Sequence, residues 1–467
     1  MDLDAVLLAR IQFAFTVSFH IIFPSFTIGL AAFIATLLVR WRLTGEDRFY
    51  RLAKFWTKIF AVSFAMGVVS GIVLSYQFGT NWAGFSKVTG NVLGPLIGYE
   101  VLTAFFLEAS FLGIMLFGWN RVSPNLHVLS AVLVAVGTSL SAFWILAANS
   151  WMHTPAGHEI RDGIAYPVDW LAIIFNPSFP YRFSHMFTAA YLTTSIVVLA
   201  VGARYLVQKR FEEEARTMIR MGLGMVAILA PLQLVIGDLH GLNTKEYQPA
   251  KLAAMEGHWN SNEPADFIIF ALPNKEQNGN DYEVKIPIPG LASFVITHDF
   301  EGTFQGLNDF KPEDRPPVAP VFFAFRVMVG LGLLMILMGF AGAWLWFRGT
   351  LFQSMGYLKI VQHTWPMGFV AILAGWWVTE TGRQPWLATG ILKTYDAVSP
   401  AITFNAVLTT LILFVIVYSA VFSMGVYYIN RLIDKGPAGA AKDPPHGQPT
   451  RPLSAAEDAA REAMGAH

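Results

Sequence analysis

Ionisable and metal-ligating side chains occur inside the long apolar stretches of this sequence, where burying them in hydrocarbon is costly and points to function. They are His20, Glu100, Glu108, His185, Arg326, Met328 and Glu380. Haem iron accepts axial His and Met, and this pair of ligands holds low-spin haems that transfer electrons. Carboxylates ligate iron more rarely, but buried ones can carry the protons that oxygen reduction consumes. These residue types therefore favour redox chemistry at haem.

Each of these residues also has an ordinary structural interpretation. A lone transmembrane His commonly forms a packing hydrogen bond, and a lone Met commonly fills the core. Glu100 and Glu108 could cap or bridge helices, and Arg326 could form a structural ion pair. Other histidines are expected without a metal, at inner helix ends, in the tail or in outer loops: His127, His363, His446, His153, His158, His240, His258 and His298.

The composition indicates a membrane protein. Of 467 residues, 54% are hydrophobic and only 14% are charged, well outside the range of ordinary soluble domains. The formal net charge is zero, so no basic excess suggests nucleic acid as a partner. The absence of cysteine excludes disulfides, thiolate-ligated iron–sulfur clusters, cysteine zinc sites and covalent c-type haem. Without a basic n-region or a small-residue cleavage site, the first apolar run is predicted to remain as a span.

About nine segments are apolar enough to cross a bilayer as helices, each of which needs about 20 residues. They lie roughly at residues 11–39, 56–78, 92–119, 126–148, 183–206, 221–237, 321–347, 360–378 and 402–429. The eighth is the weakest, because polar residues and Pro366 lie at one end, and a short buried helix is the alternative there. The sequence therefore predicts an all-α membrane protein.

The distribution of Lys and Arg predicts the orientation, because cytoplasmic loops are enriched in both. Residues 40–58 contain six of them and residues 204–220 contain five, whereas the alternate loops have few. The N-terminus is therefore predicted outside, and residues 431–467 inside as a disordered cytoplasmic tail. The residues that this orientation places in the outer half of the bilayer are His20, Glu100, His185, Arg326, Met328 and Glu380.

One connection, residues 238–320, is long enough to form a functional lid on the outer side, although a variable surface loop without chemistry is the alternative. It separates two parts of a transmembrane domain that covers residues 1–430. Its first part contains QPAKLAAMEGHW, which predicts a short helix with Lys251 and Glu256. A basic and an acidic group beside the membrane surface could bind a polar head group and accept its protons.

Seven motifs, in order along the chain, carry a resemblance to a known family. They are RIQFAFTVSFHIIFPSFTIG, GYEVLTAFFLEASFLGIMLFGW, FWILAANSWMHTP, FSHMFTAAY, QPAKLAAMEGHW, FAFRVMVGLG and GWWVTETGRQPW. With these motifs the chain resembles subunit I of cytochrome bd-type quinol oxidases up to the polar tail. In that family a His and a Met hold a low-spin haem b, and the FSHM and FRVM motifs place this pair at His185 and Met328. Arg326 would hold a propionate or tune the potential.

The resemblance also implies ligands for two high-spin haems. One is a haem b, and the other is a haem d or a further haem b in its place. The family uses the His of the first span and the Glu before GRQPW, which match His20 and Glu380, with neither ligand assigned to a particular haem. Glu100 would neighbour or ligate one of them, and Arg383 and Trp386 would pack against a haem.

Proton and quinol sites follow from the same resemblance. Glu108 and Ser141 match the family's proton route from the cytoplasm, and Lys251 and Glu256 match its quinol-proximal pair. The loop is short compared with the family's long-loop branch, so the chain resembles the short-loop branch that includes cyanide-insensitive oxidases. Some members of that branch lack the d-type chromophore, which leaves the presence of haem d open.

The implied activity is oxidation of ubiquinol or menaquinol at the outer surface of a bacterial inner membrane and reduction of O2 to water. Protons taken from the cytoplasm would build a membrane potential without pumping. The implied partner is a homologous subunit II, with a small single-span subunit left open. Two alternatives remain: a proton-coupled transporter, which explains the two carboxylates but not the gathered His, Met and Glu, and a non-catalytic assembly subunit, which predicts no chromophore.

Overall fold

Long α-helices make up most of the protein in the computed structural model, which describes residues 4–261 and 263–437. The helices of the first half are α1 (Ala5–Ile22), α2 (Pro24–Thr44), α3 (Asp47–Thr80), α4 (Ala83–Tyr99), α5 (Phe106–Phe117), α6 (Pro124–His153), α7 (Trp170–Ile174) and α8 (Phe179–Val207). Those of the second half are α9 (Glu212–Tyr247), α10 (Pro249–Glu256), α11 (Leu291–Thr297), α12 (Val318–Phe347), α13 (Met355–Val361), α14 (Met367–Thr381) and α15 (Phe404–Lys435). Between α4 and α5 lies a π-helical segment, Glu100–Phe105.

Three small antiparallel hairpins and three 3-10 turns lie in the connections. The strands are β1 (His158–Arg161) with β2 (Ile164–Pro167), β3 (Ile268–Pro273) with β4 (Asn280–Lys285), and β5 (Trp386–Ala388) with β6 (Leu392–Lys393). The turns are Leu307–Asp309, Pro312–Asp314 and Tyr395–Ala397. All of these elements are short and lie between helices, so the predicted all-α architecture is confirmed.

Eight helical stretches within the described residues are long and apolar enough to cross a membrane, and they contain eight of the nine predicted spans. The segment at residues 360–378 is not one continuous helix, and the short helix given as the alternative there is the one that forms. The chain there forms α13, a break at residues 362–366, and then α14, whose 15 residues extend only about 22 Å. Pro366 explains the break, because it has no amide proton and disfavours helical backbone at the residue before it.

The first predicted span is also broken, in this case next to His20. Phe23 separates α1 from α2, and Pro24 occupies the first position of α2, where its missing amide proton costs nothing. The Ser25 hydroxyl donates to the carbonyl of Ile22 at 2.8 Å and satisfies one carbonyl that the break exposes. The break places His20 in the last turn of α1.

The predicted inserted loop begins later than residue 238 and is largely structured. Helix α9 continues ten residues beyond Gly237, to Tyr247, and α12 already begins at Val318. The predicted short helix is confirmed as α10, and the rest of the insertion contains the β3–β4 hairpin, α11 and two 3-10 turns. At the C-terminus, α15 covers residues 431–435, and the part of the predicted tail from residue 438 onward lies outside the described residues.

Small residues allow α8 to pack closely against three neighbouring helices. A Cβ added at Gly29 of α2, Gly222 of α9 or Gly368 of α14 would lie 2.5, 2.8 or 2.4 Å from the nearest atom of α8. Such close backbone approach is how transmembrane helices gain van der Waals packing in a lipid environment. Helix α8 is thereby held in the centre of the bundle, and it presents the FSHM segment to α9 and α14.

Candidate functional site

His185 and Met328, the predicted axial pair, lie on helices that meet the same turn of α14. A Cβ added at Gly375 would lie 2.9 Å from the sulfur of Met328. The indole nitrogen of the next residue, Trp376, is 3.3 Å from the sulfur of Met186, which directly follows His185. The tertiary structure therefore brings the FSHM and FRVM segments to one level of the bundle.

Glycines lie against both side chains of this pair, and the His185 ring has a nitrogen without a partner among the described residues. Within the described residues, the buried Nδ1 of His185 has no hydrogen-bond partner. Its ring contacts the ring of His240, with 5.6 Å between centroids, and a Cβ added at Gly237 would lie 3.3 Å from its Cε1. Because glycines flank both candidate ligands and His with Met suits haem iron, these residues fit a low-spin haem.

His20 is held in the tautomer that a metal ligand requires. Its Nδ1 is 2.9 Å from the hydroxyl of Ser70, and that hydroxyl donates its single proton to backbone carbonyls at Met66 and Gly67, at 3.0 and 2.9 Å. Nδ1 must therefore be the donor to the Ser70 oxygen, which leaves the lone pair on Nε2. A Cβ added at Gly71 would lie 3.1 Å from Cε1, so the ring packs directly on α3. These contacts fit haem ligation by Nε2.

Glu380, at the end of α14, is held by three side chains. Its Oε1 accepts from Asn149 Nδ2 at 3.1 Å and from His153 Nε2 at 3.2 Å, and its Oε2 accepts from Arg383. Arg182 lies 3.9 Å from Oε1 and also donates to the amide oxygen of Asn149. A carboxylate offers about four lone pairs, so one remains on Oε2, which is compatible with an iron ligand.

Arg383 and Trp386 frame this carboxylate. Besides its bond to Glu380, Arg383 donates to the carbonyl of Leu387 at 2.5 Å, so it joins α14 to the β5–β6 hairpin. Trp386 begins β5, and the ammonium of Lys393 lies 5.1 Å from the centre of its ring. Both residues therefore lie beside the predicted ligand.

Among the described residues, no three His, Cys, Asp or Glu side chains form a group that could hold a metal ion. Haem iron needs only axial ligands from a protein, because the porphyrin supplies the other donors. The candidate axial ligands lie on different helices: His20 on α1, His185 and Met328 on α8 and α12, and Glu380 on α14. They therefore provide axial ligands for up to three separate haems.

Glu100 and Glu108 both face α6, although sequence reasoning placed them about 80° apart. The π-helical segment that begins at Glu100 accommodates one additional residue per turn, which brings the two carboxylates to within about 20° of one face. Ser141 donates to Glu100 at 2.6 Å, and a Cβ added at Gly137, one turn away on α6, would lie 2.6 Å from Glu108 Cγ. Glu108 is buried, and its Oε1 has no hydrogen-bond partner among the described residues.

Lys251 and Glu256 do not contact one another, although both lie on α10. The ammonium of Lys251 points toward the Glu380 cluster and lies 2.7 Å from Gln248 Oε1 and 3.1 Å from His153 Nδ1. Burial and then the charge of Arg182 lower the pKa of Lys251 well below its usual range. Glu256 points the opposite way, and the two side chains are only 5% and 4% exposed. The predicted surface pair is thus two buried groups with separate partners.

Glu256 forms a buried ion pair with Arg326. Arg326 donates to Glu256 Oε2 at 2.8 Å and to the carbonyls of Ile268 and Met255 at 2.8 and 3.3 Å. The rings of Phe267, Phe322 and Phe325 lie within 5.3 Å of its guanidinium carbon. The structural ion pair given as an alternative for Arg326 is present, and its nitrogens tie α10 and β3 to α12, two residues before Met328. Its expected role in holding a haem propionate or tuning the potential stays a prediction.

We expect Glu256→Ala to loosen the inserted loop, because breaking a buried pair by removing one partner costs about 3–5 kcal/mol. Limited proteolysis within residues 257–317 should become faster on the order of 100-fold, since cleavage follows the population of the open loop. Glu276→Ala, which removes an exposed carboxylate in the same loop, is the matched control and should leave the rate unchanged. Equal cleavage rates in the two variants would contradict this role for the pair.

Sequence reasoning missed His153 and His240 by placing both in outer loops. His153 is the last residue of α6 and is only 1% exposed, and His240 lies inside α9 against His185. His127, expected at a solvated or interfacial helix end, is buried and bonds to the carbonyl of Met115 at 3.0 Å. No period in the sequence distinguishes these histidines, because only the lengths of α6 and α9 decide whether they are buried.

A cavity of about 270 Å³ opens beside the start of α10. It is lined by Lys245, Pro249, Leu252, Thr303, Phe304 and Gln305. Apolar and aromatic surface with a few polar groups is the usual lining of a small-molecule site. The sequence did not single out these residues.

Comparison with known proteins places the chain among similar membrane oxidases. The profile of the family described as "Cytochrome bd terminal oxidase subunit I" matches residues 8–437. "Cytochrome bd ubiquinol oxidase subunit 1" of Bacillus subtilis (strain 168) is 35% identical to this chain, and the match covers 93% of this chain and 94% of that protein. "Cytochrome bd-II ubiquinol oxidase subunit 1" of Escherichia coli (strain K12) is 32% identical, with 95% and 99% coverage.

A solved structure agrees with these sequence matches. A chain from the bd oxidase of Geobacillus thermodenitrificans superimposes with a TM-score of 0.85 at 30% identity, and the match covers 92% of this chain and 99% of that one. The helical bundle described above therefore has the same overall path as a bd oxidase chain.

Proposed function

Because the chain belongs to the family of cytochrome bd terminal oxidase subunit I, we propose that its buried His, Met and Glu residues serve quinol oxidation and oxygen reduction at three haems. Membership makes the chain an integral membrane protein and the catalytic subunit of a terminal quinol oxidase. The transporter alternative receives no support from these relatives. The observation that carries the finer proposal is the convergence of the FSHM and FRVM segments on one turn of α14.

His185 and Met328 would hold the low-spin haem b. His20 and Glu380 would each ligate a high-spin haem, one a haem b and the other a haem d or a further haem b. Haem, when bound, supplies the electron transfer and oxygen chemistry that no side chain of this protein can perform. The chain's own contribution is to present the Nε2 lone pair of His20 and the free lone pair on Oε2 of Glu380.

The cavity beside α10 is proposed as the site of the quinol head group. Phe304, Pro249 and Leu252 offer apolar surface to a ring, and Gln305 and Lys245 offer polar groups to its hydroxyls. Lys251 and Glu256 lie behind this cavity on the same short helix. Their proposed roles are therefore to anchor α10, through the Glu380 cluster and through Arg326, between the quinol and the haem ligands.

The two carboxylates that face α6 are proposed to carry protons from the cytoplasm toward the oxygen site. Among the described residues, Oε1 of Glu108 is buried without a partner, and Oε1 of Glu100 accepts the hydroxyl proton of Ser141. The two carboxylates therefore offer oxygen acceptors for a proton, or for a water, on one face of the helix. With the N-terminus outside and quinol oxidised there, turnover would build a membrane potential without pumping. The membrane is proposed to be the bacterial inner membrane, in which the Lys and Arg distribution would place the N-terminus on the periplasmic side and the C-terminus on the cytoplasmic side.

The partner proposed for this chain is the subunit II that completes a bd oxidase. The composition of the purified complex would show whether a small single-span subunit is also present. The short loop favours the branch that includes cyanide-insensitive oxidases. Comparing the rates of O2 consumption with ubiquinol and with menaquinol would identify the substrate.

The test of the proposed function combines a spectrum with an activity. We expect the purified oxidase complex, reduced with dithionite, to show low-spin b-type bands together with high-spin haem, and to consume O2 with ubiquinol or menaquinol as donor. Haem extraction would identify haem d or additional haem b. In proteoliposomes, turnover should make a potential-sensitive dye accumulate. A correctly folded but colourless preparation would contradict the haem ligands.

A further inference from the structure

His153 lies between the predicted haem ligand Glu380 and the short helix of the inserted loop. It is the last residue of α6 and is only 1% exposed. Its Nε2 is 3.2 Å from Glu380 Oε1, and its Nδ1 is 3.1 Å from the Lys251 ammonium and 3.3 Å from Gln248 Oε1. A histidine so completely enclosed, with both nitrogens engaged, is a candidate for a specific role.

The donor inventory assigns a proton to Nε2 of His153. A carboxylate only accepts, so the contact with Glu380 requires an N–H on Nε2. At Nδ1 the ring either accepts from Lys251, as a neutral imidazole, or donates to Gln248, as an imidazolium. Both arrangements keep the proton on Nε2, so the direction of the bond to Glu380 is the same in each.

Asn149 completes the arrangement around the same carboxylate oxygen. Its amide oxygen accepts from Arg182, which orients its Nδ2 toward Glu380 Oε1 at 3.1 Å. With His153, it occupies both lone pairs of Oε1, whereas Oε2 has Arg383 alone. The two carboxylate oxygens are therefore not equivalent.

We propose that His153 is a positioning residue which, together with Asn149, engages Oε1 of Glu380 and leaves Oε2 as the oxygen available to haem iron. This inference rests on the proposed ligand role of Glu380. Because Nδ1 of His153 contacts Lys251 and Gln248, the same ring connects the carboxylate to the start of α10. Hydrogen bonds from surrounding residues to a metal ligand commonly fix the orientation of that ligand. In other proteins, their loss changes the metal affinity by about 10- to 100-fold.

The test compares two amides that differ by one methylene group. In His153→Gln, the side-chain nitrogen is the same number of bonds from Cβ as Nε2 of His and can still donate to Oε1. In His153→Asn, the nitrogen is one bond closer to the backbone and cannot reach. We expect the Gln variant of the whole oxidase complex to match the parent in haem content, spectrum and midpoint potentials.

The Asn variant should lose at least half of one high-spin haem. If it retains that haem, we expect the relative affinity of the site for oxidised and reduced iron to change roughly tenfold. This corresponds to a shift of about 59 mV in the midpoint potential of a one-electron couple. The low-spin b-type bands should be unchanged in both variants and report correct folding. His298→Asn, at an exposed loop position, is the control. Identical behaviour of the Gln and Asn variants, whether normal or altered, would overturn the proposal.

Two further variants separate this proposal from the proposed function. Glu380→Leu should abolish the same high-spin haem signal; if it does not, the ligand assignment itself fails. If it does but the Gln and Asn variants are alike, only the role of His153 fails. Should His153→Asn not fold, Asn149→Ala removes the other donor to Oε1 and should give the same potential shift, and an unchanged potential there would overturn the proposal.

Discussion

Replacing His185 by Ala is expected to remove the low-spin haem b and to lower quinol-dependent O2 consumption by at least about 100-fold. Loss of the hydrogen bonds that orient a metal ligand costs a metal site about 10- to 100-fold in affinity, and this substitution removes a proposed axial ligand itself. Within the described part of the chain, the buried Nδ1 of this imidazole has no hydrogen-bond partner. The measurement is the dithionite-reduced spectrum and haem content of the purified complex, beside the rate of O2 consumption.

Met328→Leu refines this experiment, because Leu nearly preserves the side-chain volume but offers no sulfur to iron. We expect haem to be retained through His185 but its low-spin bands to be lost, since one axial ligand is missing. His298→Ala is the control for loss of a histidine, because that side chain is exposed and pairs with Asp238 at 3.3 Å. Unchanged low-spin bands in both His185→Ala and Met328→Leu would show that the axial pair lies elsewhere.

Replacing Glu108 by Gln is expected to lower turnover by about 100-fold or more, the usual contribution of a positioned proton-transfer group. The amide preserves the shape of a buried side chain that packs against Gly137 of α6, but it cannot release and take up a proton as a carboxyl group does. Haem content and reduced spectra should remain those of the parent, because Glu108 packs against Gly137 of α6 and is not one of the proposed axial ligands. Steady-state O2 consumption with excess quinol measures the effect.

A matched carboxylate shows whether burial matters. Glu212→Gln changes an exposed carboxylate of α9 that pairs with Arg216 at 2.6 Å, and it should retain full turnover. Glu100→Gln provides a second test of the same path, since Ser141 donates to that carboxylate at 2.6 Å. Full activity in Glu108→Gln would exclude this carboxylate from the obligatory proton route.

The membrane architecture was predictable, and the proposed ligand residues could be singled out, because both depend on the cost of burying polar groups in hydrocarbon. Long apolar runs must be helices, and the few ionisable residues within them stand out. Eight of nine spans were confirmed in this way. The failure at residues 360–378 has a local cause: Pro366 divides a stretch whose average hydrophobicity gives no sign of the break.

Only the tertiary structure decided how the identified residues are paired. Lys251 and Glu256 are close in sequence, yet α10 directs them to opposite partners, His153 and Arg326. Glu100 and Glu108 share a face only because a π-helical segment shifts the helical phase between them, a choice made by packing against α6 and not by periodicity.

By itself, the sequence predicted the membrane spans and the candidate ligands, because residue type and hydropathy act locally, and its family motifs implied that the protein binds haem. The structure decided which oxygen of Glu380 is engaged, which nitrogen of His20 is free, and that His153 is buried. These depend on contacts between residues distant in the chain, such as Asn149 with Glu380. No local pattern contains that information, because hydrogen-bond partners are chosen only when the helices pack together.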